Sequence, residues 1–153
     1  MQSILDDMVR ASFAISRGFD IKRFVASLTE QLFDVTGADL ACFYSLEGRT
    51  ARLMFRRGRW DVPRALSPRS EPLAFIRESR ETVVLTGRKQ SPFLPLLLHP
   101  DMGSGIAAPL VSGKQVEALV MLNSLEKEFF NRRRLRFTET LMKMAGEYFH
   151  NAV

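Results

Sequence analysis

Residues 104–123 have the sequence SGIAAPLVSGKQVEALVMLN, in which two apolar runs flank a short polar segment. The pattern predicts two strands, Ser104–Val111 and Gln115–Asn123, joined by a tight turn at Ser112-Gly113. A charged loop and one long helix are expected to follow and to reach the end of the chain.

The second of these strands is apolar from Val116 to Leu122 except for Glu117. A strand with water on one face alternates apolar and polar residues, so we expect this one to be covered on both faces. Helices from the two chain ends would form one cover. A short helix and a loop between about 70 and 103 would form the other. Because an irregular cover packs less closely than a layer of helices, we expect a cavity beneath it.

The rest of the chain predicts further elements from the spacing of apolar residues and from the Gly, Pro and Asp residues at element ends. In chain order they are a helix over 2–17, a helix from the N-cap Asp20 to Gly37, strands Leu40–Leu46 and Thr50–Arg57, a short helix from Ser70 to Ser79, a strand Thr82–Leu85, an apolar proline-rich loop over 87–103, and a last helix after the N-cap Asn131. The loop is expected to pack as a lid or wall.

Length and composition indicate one globular domain over residues 1–153. Hydrophobic residues make up 46% and charged residues 25% of the chain, which excludes a disordered protein. No apolar run reaches the roughly 20 residues of a membrane-spanning helix. Asp6 and Asp7 lie where a signal peptide has its apolar segment, and the single cysteine, Cys42, excludes an internal disulfide. We therefore expect a cytoplasmic protein.

The net charge is +5, from 22 Lys and Arg against 17 Asp and Glu. Two basic clusters stand out, the strip Arg49–Arg59 and, at the start of the last helix, Arg132, Arg133, Arg134 and Arg136. Such clusters attract nucleic acid, acidic membrane surfaces or acidic proteins, although most are only solvated. They define the alternative function, a protein- or nucleic-acid-interaction module whose binding weakens with salt, with nucleic acid the less expected partner.

The order of elements resembles that of a GAF domain. The most similar pieces are Gly37-Ala38-Asp39 before the first strand, Ala107-Ala108-Pro109-Leu110, and Ala118–Leu122 followed by Phe129 or Phe130. The resemblance implies an α+β fold with a central antiparallel sheet of about six strands, terminal helices on one face and a small-molecule pocket on the other. It also implies dimerisation through the terminal helices and signalling to an attached output domain.

Three functions of that family do not fit this sequence. Cyclic-nucleotide-binding members carry an Asn-Lys…Phe…Asp-Glu signature, whereas here Ser124 follows Asn123, and Arg133 and Arg134 follow the phenylalanines. Bilin-binding members attach the pigment through a cysteine near the middle helices, whereas Cys42 lies on the first predicted strand. Free-methionine-sulfoxide reductases of the family need more than one cysteine.

Aromatic, small and sulfur-containing residues on the strands and the loop are the candidate ligand pocket. They are Cys42, Tyr44, Phe55, Trp60, Phe75, Phe93, Ile106, Ala108 and Met121. The alternative role for all of them is plain core. Strand parity puts Cys42 and Tyr44 on one face, and Leu119 and Met121 together on one face, but leaves open which face meets the pocket. The sequence names no cofactor.

Catalytic and metal chemistry have little support. No His-Glu-x-x-His motif, phosphate-binding glycine loop or nucleophile elbow occurs, and no carboxylate pair is spaced for acid–base work. Cys42 lies between apolar neighbours and is expected to be a buried structural thiol. His150 is expected on the surface. His99 lies in an apolar loop, where two roles stay open: haem ligation and, as the commoner case, a polar surface residue. We expect neither a metal site nor an enzyme.

Both terminal helices carry a broad apolar stripe, and the stripe on the last helix is either core or a dimer seam. Because each helix has more apolar surface than one sheet contact needs, the pattern favours a homodimer with a helical interface. The candidate interface residues are Ile4, Leu5, Met8, Leu141, Ala145 and Phe149. The leading expectation is a non-enzymatic sensory or regulatory domain. It would bind a small ligand, dimerise, or both, and pass a signal to an output domain or partner protein.

Overall fold

The computed structural model describes residues 20–67, 71–88 and 91–152. Within these residues the strands form a six-stranded antiparallel sheet in the order β3-β2-β1-β6-β5-β4. In chain order the strands are β1 (Leu40–Glu47), β2 (Thr50–Arg57), β3 (Ala65–Leu66), β4 (Val83–Leu85), β5 (Ser104–Ser112) and β6 (Gln115–Ser124). The predicted α+β fold with about six strands is confirmed.

The helices of the described residues are α1 (Ile21–Thr36), α2 (Glu71–Ser79) and α3 (Arg132–Ala152), with a 3₁₀ turn at Leu94–Leu96. The Asp20 carboxylate caps α1, because it accepts hydrogen bonds from the backbone N–H of Lys22 at 3.1 Å and of Arg23 at 3.4 Å. Gly37 ends the helix in the left-handed region at φ 76°. Asn131 caps α3 by accepting from the backbone N–H of Arg134 at 3.0 Å.

One face of the sheet packs against α1 and α3, and we call this layer the helix-side core. Its members are largely buried, with Leu28, Val120 and Leu141 at 1%, 0% and 1% exposure. The apolar residues of α1 recur at the i, i+3, i+4 spacing that lays one stripe of a helix along a sheet. This layer therefore follows directly from the periodicity of the sequence.

The other face packs against α2 and residues 93–102, which together we call the cover. The layer between the sheet and the cover is the cover-side core. It contains Cys42, Tyr44, Leu119 and Met121 from the sheet, together with buried leucines of the loop. The predicted sharing of faces by Cys42 and Tyr44, and by Leu119 and Met121, is confirmed. Residues 118–122 are all buried, so the central strand β6 is covered on both faces as expected.

The last helix comes unusually close to the sheet at Gly146. A Cβ atom at this position would overlap the carbonyl oxygen of Val111 in β5, so only glycine allows the observed distance. Backbone contact of this kind fixes the height of α3 above β5.

Two elements were absent from the sequence-based prediction, the two-residue strand β3 and the 3₁₀ turn. Neither is long enough to show a hydrophobic period, and both lie in proline-rich segments. Predicted ends elsewhere agree to within one residue or so; the strand expected over Thr82–Leu85 begins at Val83. The helix expected over 2–17 lies outside the described residues.

Candidate functional site

A cavity of about 360 Å³ lies between β6 and the cover. Its wall comes from the segment before and within β3, from α2, from the 3₁₀ turn and the loop after it, and from β6. The lining residues are Pro63, Ala65, Leu66, Ser67, Pro72, Leu73, Ile76, Pro95, Leu97, Leu98, Leu119 and Met121. This volume is at the low end of the roughly 300–1,000 Å³ typical of small-molecule sites.

The side chain of Asn123 holds the cover on the sheet. It is fully buried at the end of β6, donates from Nδ2 to the Leu96 carbonyl at 2.9 Å and accepts at Oδ1 from the Leu98 N–H at 2.7 Å. Gly105 lies opposite in the register, and a Cβ there would come within 2.9 Å of Asn123 Nδ2. One buried amide thus satisfies the backbone of a segment that has no sheet or helix partner of its own.

Arg88 fixes the far end of the cover. Its guanidinium donates to the carbonyl oxygens of Met102 at 2.7 Å and His99 at 2.8 Å. The His99 ring nitrogen Nδ1 accepts from the Asp101 N–H at 3.1 Å, which makes this histidine part of the same turn. Among the described residues, no group of three or more His, Cys, Asp or Glu side chains is arranged to hold a metal ion.

Tyr44 and Cys42 lie under the cavity on β1. The Tyr44 hydroxyl donates to the Pro63 carbonyl at 2.7 Å, so it ties the segment before β3 to the sheet. Burial, and secondarily the neighbouring Cys42, raises the pKa of Tyr44. Burial raises the pKa of the Cys42 thiol to about 12, with Arg56 opposing the shift. Both groups are therefore neutral at physiological pH.

Of the nine residues predicted to form the pocket, Met121 lines the cavity. Cys42, Tyr44, Trp60 and Phe93 belong to the cover-side core but are not part of the cavity wall. Phe75 is 42% exposed and packs edge-on against Phe93, with ring centroids 5.6 Å apart.

The placement of Phe55, Ile106 and Ala108 in the pocket was wrong, because all three lie in the helix-side core. For Phe55 the reason is a bulge between β1 and β2: Phe43 pairs with Phe55, but Tyr44 pairs with Leu53. An extra residue in one strand reverses which face the following side chains point to. The faces of Ile106 and Ala108 depend on a pairing register that the sequence alone did not give.

The prediction missed the residues that make up most of the wall. Leu73 and Ile76 project from α2, and Leu97 and Leu98 follow the 3₁₀ turn. The available signal was the apolar proline-rich loop, which was expected to pack as a wall. Five of the nine predicted pocket residues are aromatic, whereas the described wall is aliphatic and proline-rich.

The candidate dimer residues also need correction. Leu141 and Ala145 are 1% and 0% exposed inside the helix-side core, so a partner subunit has no access to them. Phe149 packs half-buried against the same core, 6.0 Å from the Phe24 ring. Ile4, Leu5 and Met8 lie outside the described residues. Of the two roles that the sequence left open for the stripe on α3, core and dimer seam, the structure places Leu141 and Ala145 in the core.

Among the predicted basic residues, Arg132, Arg133 and Arg136 are exposed, but Arg134 has a structural role. Its guanidinium donates from Nε to the Thr36 carbonyl at 2.8 Å and from Nη1 to the Phe129 carbonyl at 3.0 Å, and lies 3.8 Å from the Phe129 ring centroid. A cation at the C-terminal end of α1 is favoured by the helix dipole. Arg134 therefore links the two helices and is removed from the candidate anion patch.

Within the strip Arg49–Arg59, several side chains have local partners. Arg52 pairs with Glu47 at 3.9 Å, Arg56 with Asp61 at 3.5 Å, and Arg57 lies 4.9 Å from the ring centroid of Phe33. Exposed pairs of this kind contribute little stability. They nevertheless reduce the free positive charge that a partner would meet.

A second, open groove of about 740 Å³ lies at the opposite edge of the sheet, between α3 and the segment before β4. Its charged residues have both signs, among them Arg80, Glu81, Lys143 and Glu147. His150, expected on the surface, is exposed here, with Nδ1 3.2 Å from the Ser112 hydroxyl. No helix of the described residues is long and apolar enough to cross a bilayer.

The sheet order and the two-sided covering of β6 define an α+β domain built on a central antiparallel sheet. The sequence matches the model of the GAF domain family over residues 20–148. The chain therefore belongs to the GAF domain family, as the resemblance predicted. No curated protein matches the chain.

Solved structures confirm the fold at low sequence identity. The free methionine-R-sulfoxide reductase from Neisseria meningitidis, solved with its substrate, has a TM-score of 0.83 and 16% identity, with 99% of this chain and 89% of that chain covered. The GAF domain of a phosphoenolpyruvate-protein phosphotransferase from Acinetobacter has a TM-score of 0.80 and 18% identity, with 99% and 93% covered. The type II free methionine-R-sulfoxide reductase from Thermoplasma acidophilum has a TM-score of 0.72 and 16% identity, with 86% and 96% covered. Two reductases and the GAF domain of a phosphotransferase thus share this fold.

Proposed function

We propose that this chain is a non-enzymatic sensory or regulatory GAF domain that binds a small molecule in the cavity between β6 and the cover. The observation that carries the proposal is the cavity itself, about 360 Å³ and lined mainly by apolar side chains. It lies on the side of the sheet opposite α1 and α3. The proposed setting is the cytoplasm.

The state of Cys42 supports binding over catalysis. A nucleophilic or redox-active thiol must reach its thiolate form and be accessible. Cys42 is 0% exposed, and burial raises its pKa to about 12. A reductase chemistry like that of the two structural neighbours would have to start from this protonated, buried thiol.

Strand β6 offers a route from ligand to output. Its residues Leu119 and Met121 line the cavity, while Val120 and Leu122 on its other face belong to the helix-side core with α3. In the proposal, a ligand that favours one packing of the cover shifts the position of β6 and so biases the helix layer. Hydrogen exchange along α3 with and without ligand measures this coupling.

Dimerisation and an output partner remain part of the proposal. Because Leu141 and Ala145 are buried within the chain, a dimer would have to use other surfaces. Sedimentation of the full chain at several concentrations tests for self-association. If the chain is monomeric at high concentration, the dimerisation part of the proposal is wrong and the ligand-binding part is unaffected.

A direct test of ligand binding uses two neighbouring residues of α2. Leu73 lines the cavity and is 2% exposed, whereas Ala74 is exposed and is not part of the wall. We expect some members of a small-metabolite library to raise the melting temperature of wild type and Ala74→Phe, but not of Leu73→Phe, in which the new ring fills the cavity. A ligand at 100 times its Kd adds about 2.7 kcal/mol of stability. A library that stabilises none of the three folded proteins would refute the ligand-binding function.

The exposed Arg132, Arg133 and Arg136 favour a second candidate, binding of an acidic partner. None of the three has an ion-pair partner among the described residues. The partner would be an acidic protein or, less expected, nucleic acid, and retention should fall steeply with salt. Replacing all three by Glu should abolish retention on DNA, RNA or an acidic polypeptide at low salt, while Arg52→Glu, outside this cluster, should not. No retention of the wild type excludes this function.

A further inference from the structure

We propose that the molecule bound in the cavity is uncharged and largely apolar. This inference rests on the ligand-binding function proposed above and names the chemical class of its ligand. The argument comes from the polar groups around the cavity, which are few and already engaged.

The side chains of the wall are almost entirely aliphatic. Among the described residues that line the cavity, Ser67 is the single one with a polar side chain, and none is charged. Three of the twelve, Pro63, Pro72 and Pro95, also lack a backbone N–H. The described part of the wall therefore offers few hydrogen-bond donors.

Most of the remaining polar groups have partners within the protein. The Pro63 carbonyl accepts from the Tyr44 hydroxyl, and the Leu97 N–H donates to the Leu94 carbonyl at 2.9 Å. The Leu98 N–H is taken by Asn123. Leu119 and Met121 lie on a central strand that is paired on both sides, by β1 and β5. A polar ligand would find few free partners here.

Water is a poor occupant of such a space. A volume of 360 Å³ corresponds to about a dozen molecules at the roughly 30 Å³ that each takes in the liquid. Ordered water in proteins needs two to four polar partners, and among the described lining residues Ser67 alone has a polar side chain. An apolar molecule that displaces poorly bonded water gains affinity from its burial. At protein packing density its own volume would be at most about 270 Å³.

A charged ligand would lose its hydration without compensation. One candidate counter-ion is Arg77 on α2, which follows the wall residue Ile76 and whose Nε and Nη2 atoms are buried without a hydrogen-bond partner in the described part of the chain. Arg77, however, is not among the residues of the cavity wall. An anion placed against the buried part of the wall, beside Leu119 and Met121, would therefore lose hydration without a charged partner among the described lining residues, which is unfavourable.

Matched probes of similar shape test this class. We expect titration calorimetry of the full chain to detect indole and toluene, and to find indole-3-carboxylate and benzoate at least about 100-fold weaker. Leu73→Phe should abolish binding of the neutral probes and Ala74→Phe should not. Equal or tighter binding of the carboxylates overturns the inference, and loss of that binding in Arg77→Met would identify the cation responsible.

A second pair of variants tests the effect of adding a positive charge to the cavity wall. Pro95 lines the cavity and is exposed, while Pro92 is exposed in the same loop but not part of the wall. Pro95→Arg should improve the binding of indole-3-carboxylate about threefold, the scale of one exposed ion pair, and leave indole unchanged. Pro92→Arg should change neither. Failure of Pro95→Arg to help the carboxylate contradicts desolvation as the reason for its weak binding.

Failure of the inference and failure of the proposed function give different results. If the carboxylates or other charged library members bind in a Leu73→Phe-sensitive manner and the neutral probes do not, the ligand class is wrong but the cavity is still a ligand site. If neither series binds and the library stabilises nothing, the proposed function fails as well.

Discussion

The two faces of the sheet are covered in different ways. The helix-side core is closed by α1 and α3, whose apolar stripes run along the sheet and leave Leu32 at 0% exposure. The cover side is closed by a nine-residue helix, a three-residue 3₁₀ turn and loop. The cavity of about 360 Å³ lies on the second side.

The comparison explains why the cavity lies on the cover side of the sheet and not on the helix side. Long helices present continuous ridges that fill the grooves of a sheet. Short elements interrupted by Pro63, Pro72 and Pro95 present no continuous surface. The continuous helix layer and the cavity thus lie on opposite faces of one set of strands, and β6 contributes to both.

The largest expected difference is between equivalent truncations on the two sides. Leu32→Ala should lower the free energy of unfolding by about 4 kcal/mol, because it opens a void in a closely packed layer. Leu97→Ala, beside the existing cavity, should cost about 2 kcal/mol, the low end for such changes. Urea unfolding of both variants measures the difference. Equal costs would mean that the cover side is packed as well as the helix side.

Removing the bridge between β6 and the cover should have the next largest effect. Asn123→Ala leaves the Leu96 carbonyl and the Leu98 N–H without partners, at a cost of about 3 kcal/mol. The Leu98 amide should lose its protection from hydrogen exchange, whereas amides of α1 should keep theirs until global unfolding. Asn123→Asp retains the acceptor and should protect Leu98 better than Ala does. Uniform loss of protection in the cover and α1 would contradict a locally held cover.

Alkaline pH should weaken the cover-side core first. Burial raises the pKa of Cys42 from 9.0 to about 12, so its neutral form stabilises the fold fully below pH 9. This contribution is lost as pH rises from 9 to 12, by about 1.4 kcal/mol per pH unit. Stability measured by urea unfolding should fall less steeply over this range in Cys42→Ala than in wild type. Parallel pH profiles would show that the thiol does not titrate on unfolding.

The smallest effect is expected at the start of α1. Asp20→Ala removes the cap of Lys22 and Arg23 and should cost about 1 kcal/mol, while Asp20→Asn keeps an acceptor and should cost less. Neither change should alter the affinity of any cavity ligand. A change in affinity would show that the helix layer and the cavity are coupled even at this distance.

Sequence signals predicted the helix-side core well because its determinants are local or periodic. The caps Asp20, Gly37 and Asn131 and the two-sided covering of β6 could all be inferred from residue type and spacing. The GAF resemblance implied a central antiparallel sheet of about six strands with helices on one face, and the structure has this sheet. These features depend on residues that are close in sequence or on a strong periodicity of apolar residues.

The candidate site was predicted less well because its determinants are long-range. Phe55 was misplaced by a one-residue bulge, and bulges have no reliable signal in a single sequence. Asn123 was considered as part of a nucleotide signature, whereas it holds the cover across 25 and 27 residues of chain. Leu97 and Leu98 were recognised as wall material but could not be placed against a particular strand.

Gly146 limits how the last helix can respond to anything bound on the far side of the sheet. Since no side-chain atom separates it from the Val111 carbonyl, α3 has no compressible layer at that point. A displacement of β5 toward the helix must therefore move the helix as well. Because of the same close contact, glycine is the one amino acid that fits at position 146 without a shift of the backbone.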